Sequence, residues 1–455
     1  MNNEIITYWD WLLAPFYIIV IYIVASRIKN NNIKKNSTYK YFLWGLFAKI
    51  FGAICLCLIY VYYYKEGGDT LAYQSSAKVL VNLLFDSPLN FFKVFFGDTT
   101  PENYSYFNSN TGYPEFWIDT QTFNVVRLCT FFELFACKSY LVTSIIVSVI
   151  SFTGVWKLYL LFCELYPVIY RQLALSVLFI PSLVFWGSGM LKDSWTLSAA
   201  CWFCVSFYKV FIRRENIIYY VISMIISVLI LTSIKPYIFI GIFPGCLLWL
   251  VWGRITKITN LFLRILAGPV IVSFGVSIGV FAWISLSSGF GEYSSIDKIV
   301  MKAHISSEDL KQEHYHGNSF DIGSYDPTLQ GMLSKFPEAT IAGLFRPFLW
   351  EAKNIVMILS GIENLMLLLF AIYCILKKPV RFFTFAFSDP LVLFCLSFAI
   401  IFAFSVAIST SNFGALVRLR IPLLPFFLSG LFMIHFNSQK ENVELKKTKS
   451  VYPVS

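Results

Sequence analysis

The segment PLVLFCLSFAIIFAFSVAIS, residues 390–409, contains no charged side chain. At a rise of about 1.5 Å per residue, an α-helix of this length crosses a hydrocarbon core of about 30 Å. Ser388 and Asp389 precede Pro390, and a capping residue directly before proline is a favourable helix start. The segment therefore predicts a transmembrane helix that begins near residue 390.

Similar apolar runs recur along the whole 455-residue chain, which is 57% apolar and 14% charged, with a mean hydropathy of +0.66. Soluble domains carry roughly 25% charged residues, so this composition excludes a water-soluble globule. It predicts an all-α fold, a polytopic transmembrane helical bundle of about eleven spans. The predicted spans are 8–25, 41–63, 140–163, 171–187, 194–212, 217–234, 238–253, 265–287, 354–376, 390–409 and 418–436.

Lysine and arginine are concentrated in one set of connections, which includes 27–40, 209–214, 254–264, 377–381 and the tail 437–455. By the positive-inside rule these connections face the cytoplasm. We therefore expect a multi-pass membrane protein with the amino terminus outside and the carboxyl terminus cytoplasmic. The net charge of +10 then reflects topology, and the absence of a basic folded domain argues against a nucleic-acid partner.

A single integral membrane domain is expected over residues 1–455, with long extracytoplasmic segments at about 65–139 and 288–353. The first of these contains the amphipathic stretches LAYQSSAKVLVNLLF and NFFKVFF, which predict helices lying along the membrane surface. Pro181, within FIPSLVFW, predicts a kink or an unwound turn in the fourth span.

Metal and disulfide chemistry receive little support. The ten cysteines lie almost wholly in apolar segments without a CxxC pair, which is typical of membrane packing. His314 and His316 could combine with Glu313 or Asp321, but HxH in a polar loop is more typical of solvated side chains than of a metal site. We expect no resident metal and no cofactor, with a divalent metal requirement left open.

Five cations stand near the predicted outer ends of spans. Single charges at helix ends are commonly anchors that extend to the lipid headgroups. Five cations from four connections favour a second interpretation, in which the helices converge on a basic, partly dehydrated pocket for phosphate or pyrophosphate. The five are Lys192, Lys235, Arg346, Arg418 and Arg420.

Asp69 is the predicted general base. It follows Gly67 and Gly68 directly after the second span, so a flexible turn would place its carboxylate at the mouth of a cavity. Glycosyl transfer from a lipid phosphate needs a base for the acceptor hydroxyl and cations for the leaving phosphate. The alternative role is a helix cap before Thr70, and the two roles are compatible.

Glu351 and Glu363 form a second acidic set, and Glu351 is the second predicted catalytic residue. Glu363 lies inside the ninth span, where an ionised carboxylate is costly and should have a partner such as Arg346 or Lys353. In the alternative, residues 341–361 form a re-entrant or interfacial helix and the span begins only near residue 362.

Several short motifs are spread over most of the chain: GGDTLAY, IPSLVFWGSGMLKDSW, SIKPY, LFRPFLWEAKN with the later ENL, and RLRIPLLPF. Together they resemble bacterial membrane glycosyltransferases of the GT-C superfamily and related polysaccharide polymerases. Such families use polyprenyl-phosphate or polyprenyl-pyrophosphate sugars, place an acidic residue in the first large outer loop and hold the carrier phosphate with arginine or lysine.

The resemblance implies Asp69 at the acidic position and the five cations at the phosphate positions. Two features depart from the family pattern. Thr70 follows Asp69 where a second acid is common, and the long outer loop follows the second span and not the first.

We therefore expect an enzyme, a membrane glycosyltransferase or polysaccharide polymerase that acts at the extracytoplasmic face in envelope or exopolysaccharide assembly. Its expected partners are a polyprenyl-linked saccharide, a saccharide or lipid-linked acceptor, and membrane lipids. The alternative is a transporter or flippase of lipid-linked oligosaccharide, which should show helix repeats, short loops and polar groups at mid-membrane. A noncatalytic assembly scaffold would leave the cations dispersed.

Overall fold

A computed structural model describes residues 5–64, 68–255, 295–312 and 318–451, with side chains described up to residue 439. Within these residues the chain is helical, and it contains no β-strand beyond an isolated bridge between Ser319 and Asn412. A helix satisfies its backbone hydrogen bonds internally, which is what an apolar segment requires in lipid. The predicted all-α fold is confirmed.

The α-helices of the described residues are numbered in chain order. They are α1 (Tyr8–Ile33), α2 (Phe42–Leu58), α3 (Asp69–Asp86), α4 (Pro88–Phe96), α5 (Pro101–Tyr104), α6 (Thr120–Phe135), α7 (Tyr140–Leu165), α8 (Tyr170–Leu178), α9 (Pro181–Trp186), α10 (Lys192–Phe207), α11 (Ile217–Ile234), α12 (Pro236–Ile255), α13 (Ile296–Asp309), α14 (Leu329–Ser334), α15 (Phe336–Phe345), α16 (Ile355–Lys377), α17 (Pro379–Ser388), α18 (Pro390–Ser409), α19 (Phe413–Leu419) and α20 (Leu424–Val451). Short 3₁₀ or π turns lie at Ser37–Tyr41, Ile59–Tyr63, Pro167–Ile169, Tyr208–Arg213, Leu349–Glu351 and Ile421–Leu423.

Nine helices of the described chain, counted with the turns continuous with them, are long and apolar enough to cross a membrane. They are Tyr8–Ile33, Ser37–Tyr63, Tyr140–Leu165, Lys192–Arg213, Ile217–Ile234, Pro236–Ile255, Ile355–Lys377, Pro390–Ser409 and Phe413–Gln439. The protein is therefore a multi-pass, helical membrane protein, as the sequence predicts.

The predicted fourth span, 171–187, is not one continuous helix. α8 ends at Leu178, and α9 runs only from Pro181 to Trp186. Proline has no backbone N–H, so it can start a helix more easily than it can continue one. The break expected at Pro181 is confirmed, and each piece alone is too short to cross a bilayer. The predicted span 265–287 lies outside the described residues.

The start of α18 agrees with the predicted boundary. Asp389 Oδ1 accepts the backbone N–H groups of Leu391 at 2.8 Å and Val392 at 3.1 Å. Pro390 occupies the first turn, where its missing N–H leaves no helical hydrogen bond unmade. The predicted cap is therefore confirmed.

Residues 68–139 contain α3, α4, α5 and α6 and connect the second and third candidate spans. α3 packs against α6 and buries Tyr73, Ala77 and Leu80. The two amphipathic stretches correspond to α3 and α4, so their helical structure is confirmed. Their position along a membrane surface stays a prediction.

Contacts within the chain divide it into two compact units, each discontinuous in sequence. The first unit is Met1–Leu160, Leu183–Trp202 and Ile226–Lys235, and the second is Leu161–Ser182, Phe203–Ile225 and Pro236–Ser455. The expectation of a single domain over residues 1–455 stays a prediction.

Small residues allow helices to approach closely within the first unit. A Cβ atom on Gly154 of α7 would lie 2.2 Å from the carbonyl oxygen of Ser198 in α10. A Cβ on Gly52 of α2 would lie 2.1 Å from the carbonyl oxygen of Val184. Larger side chains would force these helices apart, which is why membrane helix contacts favour small residues.

α18 forms the core of the second unit, where it packs against α12, α15 and α20. Phe394, Phe398 and Phe402 of α18 are fully buried. A Cβ on Gly343 of α15 would lie 2.1 Å from the carbonyl oxygen of Ala403. The apolar sequence that predicts the transmembrane helix therefore also builds the interior of this unit.

Candidate functional site

A cavity of about 1260 Å³ lies in the first unit, where α1 and α3 begin. Cavities that bind small molecules typically have volumes of about 300–1,000 Å³, so this cavity is large enough for a saccharide. Its lining combines apolar and polar side chains. They include Tyr8, Trp9, Asp10, Leu13, Gln74, Ser75, Lys78, Glu115, Lys138 and Ser139.

Asp10 provides a fixed carboxylate on the cavity wall. It lies in the first turn of α1 and is only 4% exposed. Its oxygens accept the Thr7 backbone N–H at 2.8 Å, the Thr7 hydroxyl at 2.7 Å and the Ser139 hydroxyl at 2.5 Å. Such hydrogen bonds offset the desolvation of a buried carboxylate. Asp10 is therefore held in one orientation between α1 and the residues before α7.

Glu133 lies behind this wall in α6 and is fully buried. It accepts hydrogen bonds from Thr143 Oγ1 at 2.5 Å and from Gln74 Nε2 at 3.3 Å. Gln74 lines the cavity, so one residue separates this carboxyl from the cavity. Burial raises the pKa of Glu133 to about 7, and its hydrogen bonds and Lys78 only partly offset that effect. A carboxyl that titrates near neutral pH can exchange protons there.

We expect Glu133→Gln to remove part of the pH dependence of stability. The folded-state pKa, about 7, lies above the ordinary value of 4.5, so the folded protein holds this proton more tightly than the unfolded chain. The resulting stabilisation is complete below pH about 4.5, is lost as pH rises through about 7, and amounts to roughly 3 kcal/mol. In thermal unfolding, the unfolding temperature of the variant should therefore rise relative to that of the parent as pH increases from about 5 to about 8. A difference that stays constant over this range would contradict the expectation.

Charged side chains on the cavity wall differ in how they are engaged. Lys138 Nζ donates to Asn82 Oδ1 at 2.7 Å, and the Ser75 hydroxyl donates to Glu115 Oε1 at 2.8 Å. Among the described residues, Lys78 Nζ has no hydrogen-bond or ion-pair partner. Lys78 is therefore the cation of this wall that an anionic ligand would engage most readily.

Asp69 is the first residue of α3 and is half-buried. Gly68, directly before it, lines the cavity and has a φ of +153°, where a Cβ would lie 2.6 Å from the Tyr60 ring. Glycine is therefore required at this turn. The Thr70 hydroxyl forms a 2.7 Å hydrogen bond with the Tyr140 hydroxyl, which fixes the start of α3. Gly68 lines the cavity but Asp69 itself is not among the lining residues, so its role as a base stays a prediction.

Lys192 and Lys235, predicted to bind phosphate, also lie in the first unit. Lys235 Nζ lies 2.5 Å from Asp193 Oδ1, and both side chains are buried. Lys192 Nζ lies 3.7 Å from Asp119 Oδ2 and donates to the Thr122 hydroxyl. Burial by itself raises the pKa of Asp119, but hydrogen bonds from Thr122 and the charge of Lys192 together outweigh it and lower the pKa. Both lysines therefore have carboxylate partners.

Arg346 and Glu351 form a bidentate ion pair in the second unit. Arg346 Nε lies 3.0 Å from Glu351 Oε1 and 3.2 Å from Oε2, and Nη2 lies 2.5 Å from Oε1. The guanidinium also lies over the rings of Phe320 at 4.9 Å and Phe413 at 5.4 Å. Glu351 Oε2 accepts the Phe348 backbone N–H at 2.8 Å. Both predicted site residues are thus held in one rigid arrangement.

Arg420 is fully buried in the second unit, while Arg418 is half-buried in α19. Arg420 Nη1 donates to the carbonyl oxygens of Leu344 at 3.2 Å and Arg346 at 2.9 Å. Arg420 Nη2 donates to Asn364 Oδ1. The guanidinium of Arg420 therefore holds together the end of α15, the chain after it and α16.

Glu363 has a partner that the sequence did not suggest. Its oxygens accept the Ser182 backbone N–H at 2.8 Å and the Ser182 hydroxyl at 2.5 Å. Arg346, one of the two expected partners, pairs instead with Glu351. α16 begins at Ile355, close to the predicted start of the ninth span.

The predicted site residues fall into both units. Asp69, Lys192 and Lys235 belong to the first, whereas Glu351 and the three arginines belong to the second. The convergence of all five cations on one phosphate pocket stays a prediction.

Sequence reasoning did not single out Lys78, Lys138 or Glu133. Gln74 and Lys78 are four residues apart in the amphipathic stretch that became α3, so their common helix face was a usable signal. Lys138 and Glu133 had no such signal, because contacts between distant segments place Lys138 on the cavity wall and Glu133 behind it.

The histidine pair and Glu313 lie outside the described residues. Within the part of the chain that is described, no three His, Cys, Asp or Glu side chains come together as a metal site, and each cysteine is free. Comparison with protein-family models, curated proteins and solved structures finds no match for this chain. Function is therefore inferred from the chemistry of the residues themselves.

Proposed function

We propose that this chain is a membrane glycosyltransferase or polysaccharide polymerase that uses a polyprenyl-phosphate- or polyprenyl-pyrophosphate-linked saccharide. It would act at the extracytoplasmic face of the bacterial inner membrane, with its amino terminus outside and its carboxyl terminus cytoplasmic. The observation that supports this function best is the 1260 Å³ cavity of the first unit, which opens where the first candidate span begins.

A lipid-linked saccharide has an apolar chain, an anionic phosphate and a polar sugar, and the cavity wall offers matching chemistry for each. Trp9 and Leu13 of α1 supply apolar surface next to the start of a membrane span. Aromatic residues favour this boundary because one edge contacts lipid and the other contacts water. The polyprenyl chain would therefore extend along α1.

The phosphate would lie between Lys78 and Lys138. Both lysines line the cavity, and Lys78 Nζ has no hydrogen-bond or ion-pair partner among the described residues. A hydrogen bond to a charged group contributes about 1.5–3 kcal/mol. In the transition state, the same lysines would stabilise the charge that develops on the leaving phosphate.

The saccharide would meet hydrogen-bonding groups of both kinds. Glu115 offers a carboxylate oxygen to sugar hydroxyls, and Lys78 offers N–H donors on the same cavity wall. A saccharide hydroxyl both donates and accepts, so this mixed set suits a sugar better than a purely cationic wall would.

Asp69 would accept the proton of the acceptor hydroxyl. The acceptor oxygen would then form a bond to the anomeric carbon while the bond from that carbon to the phosphate oxygen breaks. The proton passes to the carboxylate, and the electron pair leaves with the lipid phosphate. A positioned base of this kind contributes about 10²–10⁴-fold to the rate.

Binding of a polyprenyl-pyrophosphate-linked saccharide to the purified full chain in lipid nanodiscs tests this function. Lys78→Gln should weaken binding by about tenfold or more, because it removes a charge-assisted contact. Lys93→Gln is the matched control, since Lys93 is an exposed lysine of α4 that is not among the residues lining the cavity.

Equal binding by the two variants would contradict the cavity as the donor site. Transfer of the saccharide to an acceptor would support the enzyme. Movement of the intact lipid-linked saccharide across a vesicle membrane without transfer would contradict the enzyme and favour the flippase alternative.

A further inference from the structure

A second cavity, of about 630 Å³, lies within the second unit. The candidate spans Tyr140–Leu165, Lys192–Arg213 and Pro236–Ile255 end at its wall, and Pro390–Ser409 begins there. Apolar helices end where the chain leaves the hydrocarbon layer. This cavity therefore lies at a membrane boundary.

Two arginines line this cavity, Arg214 after the turn Tyr208–Arg213 and Arg254 near the end of α12. Both are exposed, and neither guanidinium has a hydrogen-bond or ion-pair partner among the described residues. An unengaged pair of guanidinium groups at one cavity is suited to an anion, because each offers a planar set of N–H donors.

The nearby carboxylates are already engaged by other cations. Lys209 Nζ lies 2.9 Å from both Glu164 Oε2 and Glu215 Oε2, and Arg213 Nε lies 2.8 Å from Glu215 Oε1. Arg213 and Arg214 are adjacent in the chain, yet only Arg213 is paired. The positive charge at the cavity therefore is not neutralised by these carboxylates.

Asp389 also lines the cavity, but its oxygens are occupied. Oδ1 caps α18 by accepting the Leu391 and Val392 N–H groups, and Oδ2 accepts the Tyr166 hydroxyl. The positive end of the helix dipole of α18 lies against this carboxylate. The cavity wall therefore carries two arginines and a single carboxylate, which is already used to cap α18, so the wall is cationic.

The rest of the wall is apolar and aromatic. Trp249 lines the cavity and stacks on Tyr208 at 5.1 Å and on Phe394 at 5.3 Å between ring centroids. Phe211 and Leu250 add further apolar surface. A small inorganic anion would leave this surface uncovered, whereas a phosphate that carries acyl chains would cover it.

We propose that this cavity binds an anionic phospholipid, with Arg214 and Arg254 holding the phosphate and the acyl chains lying against the apolar wall. Basic pockets between membrane helices are suited to such headgroups. This site is separate from the 1260 Å³ cavity and does not depend on the proposed glycosyl transfer.

Native mass spectrometry of the full chain in detergent, titrated with phosphatidylglycerol, tests the site. An arginine near an anionic headgroup contributes about 1 kcal/mol, so Arg214→Gln and Arg254→Gln should each weaken binding about fivefold and the double variant about thirtyfold. Arg213→Gln is the matched control. Arg213 is next to Arg214 in the chain and carries the same charge, but its guanidinium is already paired with Glu215. Its binding should stay close to that of the parent.

Three comparisons decide between lipid, free phosphate and general surface charge. Phosphatidylcholine should bind more weakly than phosphatidylglycerol, and inorganic phosphate at equal concentration should not displace the lipid. Equal losses for Arg213→Gln and Arg214→Gln, or displacement by inorganic phosphate, would overturn the proposal.

If the glutamine variants fail to fold, Arg254→Lys provides the test, since it keeps the charge but loses the planar fork. It should bind phosphatidylglycerol more weakly than the parent, and unchanged binding would overturn the proposal.

Discussion

Asp69→Asn is expected to lower turnover of a lipid-linked donor by about 10²–10⁴-fold while folding and donor binding persist. Asparagine matches aspartate in size and can still cap a helix, but it cannot take up the acceptor proton as a carboxylate does. The effect depends on the proposed function, because only a reaction that removes a hydroxyl proton needs the base. Initial rates with purified protein and a polyprenyl-pyrophosphate-linked saccharide measure it.

Asp86→Asn is the control for this experiment. Asp86 ends α3, the helix that Asp69 begins, and it is exposed and accepts a hydrogen bond from Asn108 at 3.1 Å. Its turnover should match the parent. Near-normal turnover by Asp69→Asn would remove Asp69 from the reaction and direct attention to Glu133 or Glu351. Loss of folded protein would instead show that folding needs the charge of Asp69, because asparagine keeps the size and the capping ability.

Arg420→Ala is expected to destabilise the protein by about 3–5 kcal/mol, whatever the protein does. The change removes a fully buried guanidinium and leaves the Asn364 side-chain oxygen and the carbonyl oxygens of Leu344 and Arg346 without these donors. Buried acceptors that lose their partners cannot turn to water, so each adds about 1–3 kcal/mol to the loss. Thermal unfolding in detergent micelles measures the effect.

Arg27→Ala controls for loss of a positive charge, since Arg27 is exposed near the end of α1 and should change stability by less than about 0.5 kcal/mol. Arg420→Lys should fall between parent and alanine, because an ammonium cannot reach all three acceptors as the fork does. Unchanged stability of Arg420→Ala, combined with weaker donor binding, would reject the structural role and support the predicted phosphate contact.

The cations considered for phosphate binding differ in whether a carboxylate is already paired with them. Lys235 is paired with Asp193, and Arg346 is paired with Glu351, so a phosphate could bind either cation only in competition with a carboxylate. Among the described residues, no carboxylate forms a hydrogen bond or ion pair with Lys78, although its charge acts on buried Glu133. This difference is why the proposed donor site is centred on the first-unit cavity.

The sequence alone was sufficient for the helical, multi-pass architecture and for several helix ends. Hydropathy adds up over some twenty consecutive residues, so a run such as 390–409 carries its own preference for lipid without help from the rest of the chain. Asp389 with Pro390, and the break at Pro181, are equally local, because they depend on which backbone N–H groups are present.

Only the tertiary structure decided which charged and polar side chains meet. Asp193 and Lys235 are 42 positions apart, and Gln74 and Glu133 are 59 apart, yet each pair is in contact. Lys138 reaches the cavity wall through packing of α3 and α6, which no periodicity in the residues around it encodes. Such contacts depend on how helices pack against one another, and that is set by the shapes of many side chains together and not by any local run of sequence.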